Sequence, residues 1–481
     1  MGGKSGRVGP PIGEGASLVV IANRLPVDPV PRPDGTHEWR RSVGGLVTGL
    51  GPIVEAEGGA WLGWASSGKG AQGAWSHLPE RSEGIQIHPV DLPARQAARY
   101  YDGYSNSTLW PLYHDVVEPP RFRHDWWRAY VAVNRKFAQA AAEIATEGAT
   151  VWVQDYHFQL VPAMLRYLRP DLRIGFFLHI PVPEVEVFRR LPHRAEILRG
   201  LLGADLIGVQ SPSAVNSLRR LFRSVLGIRS RGGRLQVDGR TVTIAGFPVS
   251  VDVRRIEALA GTEESAIAAR KLRHELGLPR TIIVSVERLD YTKGVEQRLR
   301  AFRDMLGTGR LVPAETALIQ VLPASRQSLR EYRVLRQRVG TLVDRINTSY
   351  GAPGRPVIHH WEHSHALDEL VPLYMAADVM AVTPLRDGMN LVAKEYVAAR
   401  IDGRGALVLS EFAGAAEEMS QAYLVNPFDH EGLQDALCRA AGADAAERGR
   451  RIRAMRSHLR NNDAFDWGNR FLAQLRRGPV P

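Results

Sequence analysis

Ten short apolar runs, separated by longer stretches with helical spacing, constrain this chain more than any other feature. In the first half they are SLVVIAN (17–23), TVWVQD (150–155), RIGFFLH (173–179), ADLIGVQ (204–210) and TVTIAGF (241–247). In the second half they are TIIVSVE (281–287), TALIQVL (316–322), PVIHHW (356–361), DVMAVT (378–383) and ALVLSE (406–411). Nearly continuous apolar strands alternating with helices mean α/β architecture, with parallel sheets covered on both faces. The pattern restarts near 281, after the segment VDVRRIEALAGTEESA (251–266). Two doubly wound domains are therefore expected, which suits a chain of 481 residues, too long for one ordinary core. Ligands of such sheets bind at the carboxyl ends of the strands, near the switch point, and two facing sheets make a cleft.

Composition narrows the function classes. The balance of 62 basic and 51 acidic residues gives a formal charge of +11, which favours anionic ligands without choosing among them. No basic run is interleaved with aromatics and no zinc-finger spacing occurs, so nucleic acid is not the expected partner. No apolar run is long enough to span a bilayer, so no membrane partner is expected either. The first 17 residues are Gly- and Pro-rich without an apolar centre and read as a flexible tail, not a signal peptide. With a single cysteine, Cys438, an internal disulfide is excluded, and a cytoplasmic location is expected.

Polar groups accumulate where the strands end. Asn23 and Arg24 follow LVVIA; Asp155, Tyr156 and His157 follow TVWVQ; His179 follows RIGFFL. The run TIIVSVE leads into RLDYTKG, IQVL leads through PAS to Arg326, and MAVTPL leads to Asp387. One such residue is a helix cap in most proteins, but six polar strand ends in one chain point to a site. Arg288 and Lys293 flank a turn ending at Gly294 and can meet one diphosphate, the first as a planar fork, the second as a point charge. Gly44 and Gly45 precede an apolar helix, where free backbone N–H groups suit an anion. In RDGMNLVAKEYVA, the N–H groups of Gly388, Met389 and Asn390 are expected to face the cleft from a helix start, with Asp387 accepting from a sugar hydroxyl. Glu395 shares a helix face with Leu391 and suits the two hydroxyls of a ribose. Tyr101 and Trp110 lie among loop-forming residues and are expected at the cleft rim. The tract HHWEHSH (359–365) lacks the H-E-x-x-H spacing and reads as structural or pocket-lining histidine, so no metal site is assigned.

Taken in order, ANRLPV, GGL, YSNSTLWP, QDYH, FFLHIPVP, ERLDYTKG, RDGMNLVAKEYVA and LSEFAGAAEE resemble the trehalose-6-phosphate synthases of glycosyltransferase family 20, from about residue 18 to about 475. The resemblance implies a GT-B fold of two Rossmann-like domains with an inter-domain cleft. Its parts would be a tail (1–17), an acceptor domain (18–250), a nucleotide-sugar domain (251–460) and a C-terminal helix (461–481) packed back on the first domain. The implied reaction is glucose transfer, with retention, from a nucleotide-diphosphate glucose to glucose 6-phosphate. No cofactor is implied, and a homo-oligomer is compatible with the resemblance. Matched position by position, the acceptor phosphate falls to Arg24, Tyr101, Trp110 and Arg326, and the acceptor hydroxyls to Asp155. His179 matches the histidine near the donor glucose. Arg288 and Lys293, helped by the Gly45 backbone, match the diphosphate clamp that replaces a metal. Asp387, Gly388, Met389, Asn390 and Leu391 fall on the glucose, and Glu395 on the ribose. The catalytic set so implied is Asp155, His179, Arg288, Lys293 and Asp387.

One position departs from the family's enteric pattern. A bulky aromatic that encloses uracil there is replaced here by Ser364, which leaves room for a larger ring and favours GDP- or ADP-glucose over UDP-glucose. Three other readings keep the scaffold: another sugar-phosphate or cyclitol-phosphate acceptor, a sugar-nucleotide epimerase, and a non-catalytic sugar-phosphate-binding regulator. Formation of trehalose 6-phosphate separates all of them.

Overall fold

A computed structural model describes residues 15–32, 37–42, 45–64 and 78–478 of the chain. Seven parallel strands form the body of the first sheet: β1 (Ala16–Arg24), β2 (Ala60–Trp64), β3 (Ile85–Val90), β4 (Ala145–Gln154), β5 (Arg173–Phe177), β6 (Leu206–Val209) and β7 (Arg240–Gly246). Their order in space is β3-β2-β1-β4-β5-β6-β7, with short antiparallel strands added at both edges. The second sheet contains β8 (Thr281–Val286), β9 (Thr316–Val321), β10 (Ile358–Trp361), β11 (Val379–Val382), β12 (Ala406–Ser410) and β13 (Tyr423–Val425). These run in the order β10-β9-β8-β11-β12-β13, all parallel. Each sheet thus reverses its winding once, between β1 and β4 and between β8 and β11, which is the doubly wound arrangement of a GT-B enzyme.

Burial explains the continuous apolar runs. In β1, Leu18, Val19, Val20 and Ile21 are all fully buried. Val19 and Ile21 join Tyr130, Val133 and Phe137 of the helix α2 (His124–Ile144) in one core. Leu18 and Val20 join Val54 of α1 (Gly45–Ala56) and Trp467 and Phe471 of a C-terminal helix on the other face. A strand with helices on both faces has no polar side, so it loses the alternation of a half-exposed strand. Within the segment 1–17 assigned to a tail, Ala16 is buried, opens β1 and pairs with Ala145; residues 1–14 lie outside the described residues.

In the second lobe, β11 leads into the helix α3 (Leu391–Ala399). The chain then returns to the first lobe through the C-terminal helix α4 (Ala464–Arg477). Its Phe471 ring stacks on Trp152 at 4.3 Å, and Trp467 lies 5.2 Å from the same ring. A Cβ on Gly175 or Gly208 would sit 2.7 or 2.6 Å from aromatic carbons, Phe471 being the neighbour of both, so these glycines let the helix lie directly on the sheet. Phe471→Ala is expected to lower stability by about 3–5 kcal/mol, read as a fall in Tm of the whole chain; an unchanged Tm would mean that the helix contributes little to the first lobe. Among the described residues, no helix is long and apolar enough to cross a membrane.

Candidate functional site

Both switch points open toward one another. The ends of β1 and β4 deliver Asn23, Arg24, Gln154 and Asp155, and the end of β8 delivers Arg288. A cavity of ≈ 540 Å³ between the lobes is lined by all five, together with Tyr101, Trp110 and Arg326. Six of the residues singled out in the sequence, Arg24, Tyr101, Trp110, Asp155, Arg288 and Arg326, therefore share one cavity. Ser364 also lines it.

Its cationic wall is held by a buried carboxylate. Arg326 Nη1 donates to Asp290 Oδ2 at 3.0 Å, and Arg326 Nη2 donates across the lobes to the Tyr156 hydroxyl at 3.3 Å. The Arg326 guanidinium lies 3.9 Å from the centre of the Trp110 ring, a cation–π contact. Burial pushes the Asp290 carboxyl up, yet Arg326, Arg288 and Lys293 hold it below its ordinary range. Burial likewise acts to raise the Tyr101 phenol, but Arg326, Arg24 and Arg288 hold it below the usual tyrosine value. Trp110 is not at a loop rim as expected. Residues 98–114 are helical, and the ring is buried beneath Arg326 and against His114 at 4.1 Å. The polar residues of YSNSTL face inward there, which their loop-forming character did not suggest.

Asp155 and His179 are joined by the backbone. Asp155 sits at φ +69°, and its Oδ1 accepts the His179 backbone N–H at 3.1 Å. Burial pushes the Asp155 carboxyl up to about 6, against the opposing pull of those backbone bonds and of Arg326 and Arg288. Burial takes the His179 imidazole down to about 3, so the ring is neutral at physiological pH. Arg326 and Asn390 also have positive φ, +46° and +89°. Three non-glycine residues held in this sparsely populated region at one cleft are the kind of backbone strain that functional sites retain.

The remaining residues gather on the second lobe. Asp290 caps the turn Tyr291–Lys293 by accepting from the Thr292 N–H at 3.0 Å. The turn ends at Gly294 with φ +67°, where a Cβ would lie 2.2 Å from the Thr383 carbonyl oxygen; glycine alone lets it dock there. Lys293 Nζ meets Asp387 Oδ2 at 2.6 Å, and Asn390 Nδ2 donates to the same oxygen at 3.1 Å. Burial pushes Asp387 up, but the Lys293 ammonium prevails and holds it below its ordinary range. A Cβ on Gly388 would lie 2.0 Å from the His179 carbonyl oxygen, so this glycine lets the two lobes touch. Asp387 and Gly388 line a second inter-lobe cavity of ≈ 630 Å³. The Asn390 side chain caps α3 by accepting the Ala393 N–H at 3.1 Å. Met389 is buried, and Leu391 packs against the cores of both lobes. Glu395 accepts from the Tyr374 hydroxyl at 2.9 Å, and burial raises its pKa. Gly45 is the first residue of α1, next to Leu46 and Val47, which line the first cavity; Gly44 lies outside the described residues.

The predicted set is thus divided. Six members share the first cavity, Asp387 and Gly388 line the second, and Lys293 is tied to Asp387. Three contributors had no assigned role. Asp290, one of the polar residues that follow β8 in ERLDYTKG, is the counter-ion of Arg326, a pairing that the motif does not reveal. Gln154, the last residue of β4, bonds the His179 ring at 2.9 Å. Asp102 Oδ1 accepts from Ser328 Oγ across the lobes at 3.0 Å, a contact without a sequence signal. Of the histidine tract, His359 and His360 are half-buried with lowered pKa, and His365 Nδ1 lies 3.4 Å from Glu369. Among the described residues, no three His, Cys, Asp or Glu side chains come together as a metal-holding group.

Known proteins resemble this arrangement along nearly the whole chain. The model of glycosyltransferase family 20 matches residues 16–477. The trehalose-6-phosphate synthase of Mycolicibacterium gilvum is 49% identical over 470 residues, covering 96% of this chain and 93% of that protein. Among solved structures, the UDP-forming alpha,alpha-trehalose-phosphate synthase of Burkholderia xenovorans in complex with glucose-6-phosphate is 32% identical, with a TM-score of 0.86 over 96% of this chain and 100% of that one. An E. coli structure bound with UDP-2-fluoro glucose is 31% identical, with a TM-score of 0.85 over 96% and 99%. The chain, with its two doubly wound lobes and the arginine-lined cavity between them, belongs to glycosyltransferase family 20.

Proposed function

We propose that the protein is a retaining glycosyltransferase that moves glucose from a nucleotide-diphosphate glucose to glucose 6-phosphate, giving α,α-trehalose 6-phosphate. One observation carries this reading. Three residues lining the ≈ 540 Å³ cavity have buried donors without partners, Trp110 Nε1, Gln154 Nε2 and Arg326 Nε, and the guanidinium groups of Arg24 and Arg288 line it too. Unpaired donors beside several cations suit a ligand rich in acceptor oxygens, as a sugar phosphate is. The acceptor phosphate takes Arg24, Tyr101 and Arg326, with Trp110 as the platform beneath Arg326. Asp155, ionised above about pH 6, accepts from the sugar hydroxyls.

The donor lies toward the second lobe. Arg288 and Lys293 receive the diphosphate, Asp387 and the backbone of 388–390 receive the glucose, and Glu395 receives the ribose. Lys293 gives up its bond to Asp387 as the diphosphate arrives, and Asp387 is freed for a glucose hydroxyl. Retention then follows from departure and attack on one face, the leaving phosphate oxygen taking the acceptor proton. The protein contributes positioning and electrostatic stabilisation of the leaving diphosphate. A purine donor is favoured by the small side chain of Ser364, which lines the first cavity.

The deciding assay follows trehalose 6-phosphate from glucose 6-phosphate with ADP-, GDP- and UDP-glucose under equal conditions. Product with any donor supports the transfer, and its absence with all three sinks the reading. A clear preference for UDP-glucose overturns the purine preference alone. In the same assay, Arg24→Ala is expected to raise KM for glucose 6-phosphate about tenfold to a hundredfold, the loss of one charge-assisted hydrogen bond, with KM for the donor little changed. An equal rise in both KM values would place Arg24 outside the acceptor phosphate site.

A further inference from the structure

Gln154 is one of the least exposed polar side chains in the molecule, at 1%, yet it lines the cavity between the lobes. Its Oε1 lies 2.9 Å from His179 Nε2. An amide oxygen only accepts, so in this orientation of the Gln154 amide the ring nitrogen facing it carries the proton. A neutral imidazole has one N–H, which leaves His179 Nδ1 bare, an acceptor and not a donor. The ring is kept in place by packing: Phe177 lies 4.6 Å away and Trp467 of α4 lies 6.1 Å away. Two titratable groups interact with this residue: Asp155, which takes the His179 backbone N–H, and His157, whose charge His179 opposes. Neither is bonded to the His179 ring.

We infer that Gln154 is a positioning residue, which fixes His179 as the Nε2–H tautomer and so makes its Nδ1 an acceptor for a hydroxyl of the bound sugar. This rests on the transfer proposed above and deepens it, because it gives His179 a defined task. The ring does not deliver a proton to the leaving group. It accepts a hydrogen bond from a sugar hydroxyl and thereby orients the ring that is transferred. The amide nitrogen, Gln154 Nε2, is buried without a partner and is the free donor by which the same side chain reaches the substrate. One residue would then couple the orientation of His179 to occupancy of the cavity.

The test uses the full-length protein labelled with 15N-histidine, with the His179 signals identified by their loss in His179→Asn. The expected spectrum has a protonated Nε2, an unprotonated Nδ1 and no titration between pH 5 and pH 8. Gln154→Leu, close in volume, is expected to mix the two tautomers and to lower kcat at least about tenfold, the scale of one misplaced hydrogen bond, with Tm close to that of the parent. Gln154→Glu places a carboxylate against Nε2, and its His179 signals are expected to titrate within the measured range. An Nδ1–H tautomer or an imidazolium in the parent protein overturns the inference. So does a Gln154→Leu variant with unchanged tautomer and turnover. If the parent shows the Nε2–H tautomer but makes no trehalose 6-phosphate, the proposed transfer fails while the assignment of Gln154 to His179 stands.

Discussion

Replacing Arg288 or Lys293 with alanine is expected to lower kcat at least about a hundredfold, the scale seen when one preorganised donor to a developing negative charge is removed. Departure of the diphosphate is the step at which charge grows, and the cations at the end of β8 are the groups placed to meet it. The two variants should differ in stability. Arg288 is exposed and lines the cavity; Arg288→Ala removes only a long contact with the Trp110 ring, at 6.0 Å, and should leave Tm within a degree or two of the parent. The side chains of Lys293 and Asp387 are only 12% and 15% exposed. Lys293→Ala therefore leaves the Asp387 carboxylate without its counter-ion and should cost on the order of 2–3 kcal/mol, somewhat less than for a fully buried pair. Turnover lost in both variants with stability lost in one is the expected signature. Near-normal turnover in both would remove the clamp from the mechanism.

Asp155→Asn should separate function from stability in the opposite sense. The native carboxyl titrates near 6 against an ordinary 3.8, so above pH 6 the folded protein holds an ionised group that burial disfavours. Lowering the pH relieves this, because the native state takes up the proton before the unfolded chain does. The contribution of Asp155 to stability is therefore unfavourable at pH 8, shrinks as pH falls from about 6 to about 4, and vanishes below that. A shift of about two units corresponds to roughly 3 kcal/mol at most. Asp155→Asn is thus expected to raise Tm at pH 8, with the gain fading by pH 4. It should lower kcat/KM for the acceptor by about ten- to a hundredfold, as for the loss of a charged hydrogen bond. The pH-dependent part of the gain is what identifies the buried charge. A gain that does not change between pH 8 and pH 4 would refute it.

How much of this was legible in the sequence depends on what each residue does alone. The Val- and Ile-rich strands stood out because burial on both faces leaves them uniformly apolar. β2 and β3 lack that signature: AWLGW uses Trp and Gly, and IQIHPV carries polar residues that are half-buried. At the site, cations and carboxylates at strand ends could be found one by one, since their chemistry is local. The pairings could not. Nothing in ERLDYTKG says that its Asp holds an arginine 36 positions further on. Nothing in QDYH says that its Gln reaches a histidine at the end of the next strand. The helical form of 98–114 was hidden for a related reason: Ser, Asn and Thr there are buried against the core, where tertiary packing overrides their preference for turns.

The return of α4 to the first lobe has a consequence for how the protein is made. The sheet face bearing Trp152 and Phe177 is covered by Trp467 and Phe471, which leave the ribosome more than two hundred residues after that sheet's last strand, Arg240–Gly246. The lobe that is synthesised first is accordingly the last to be finished, and its apolar flank stays uncovered while the whole second lobe is translated and folds.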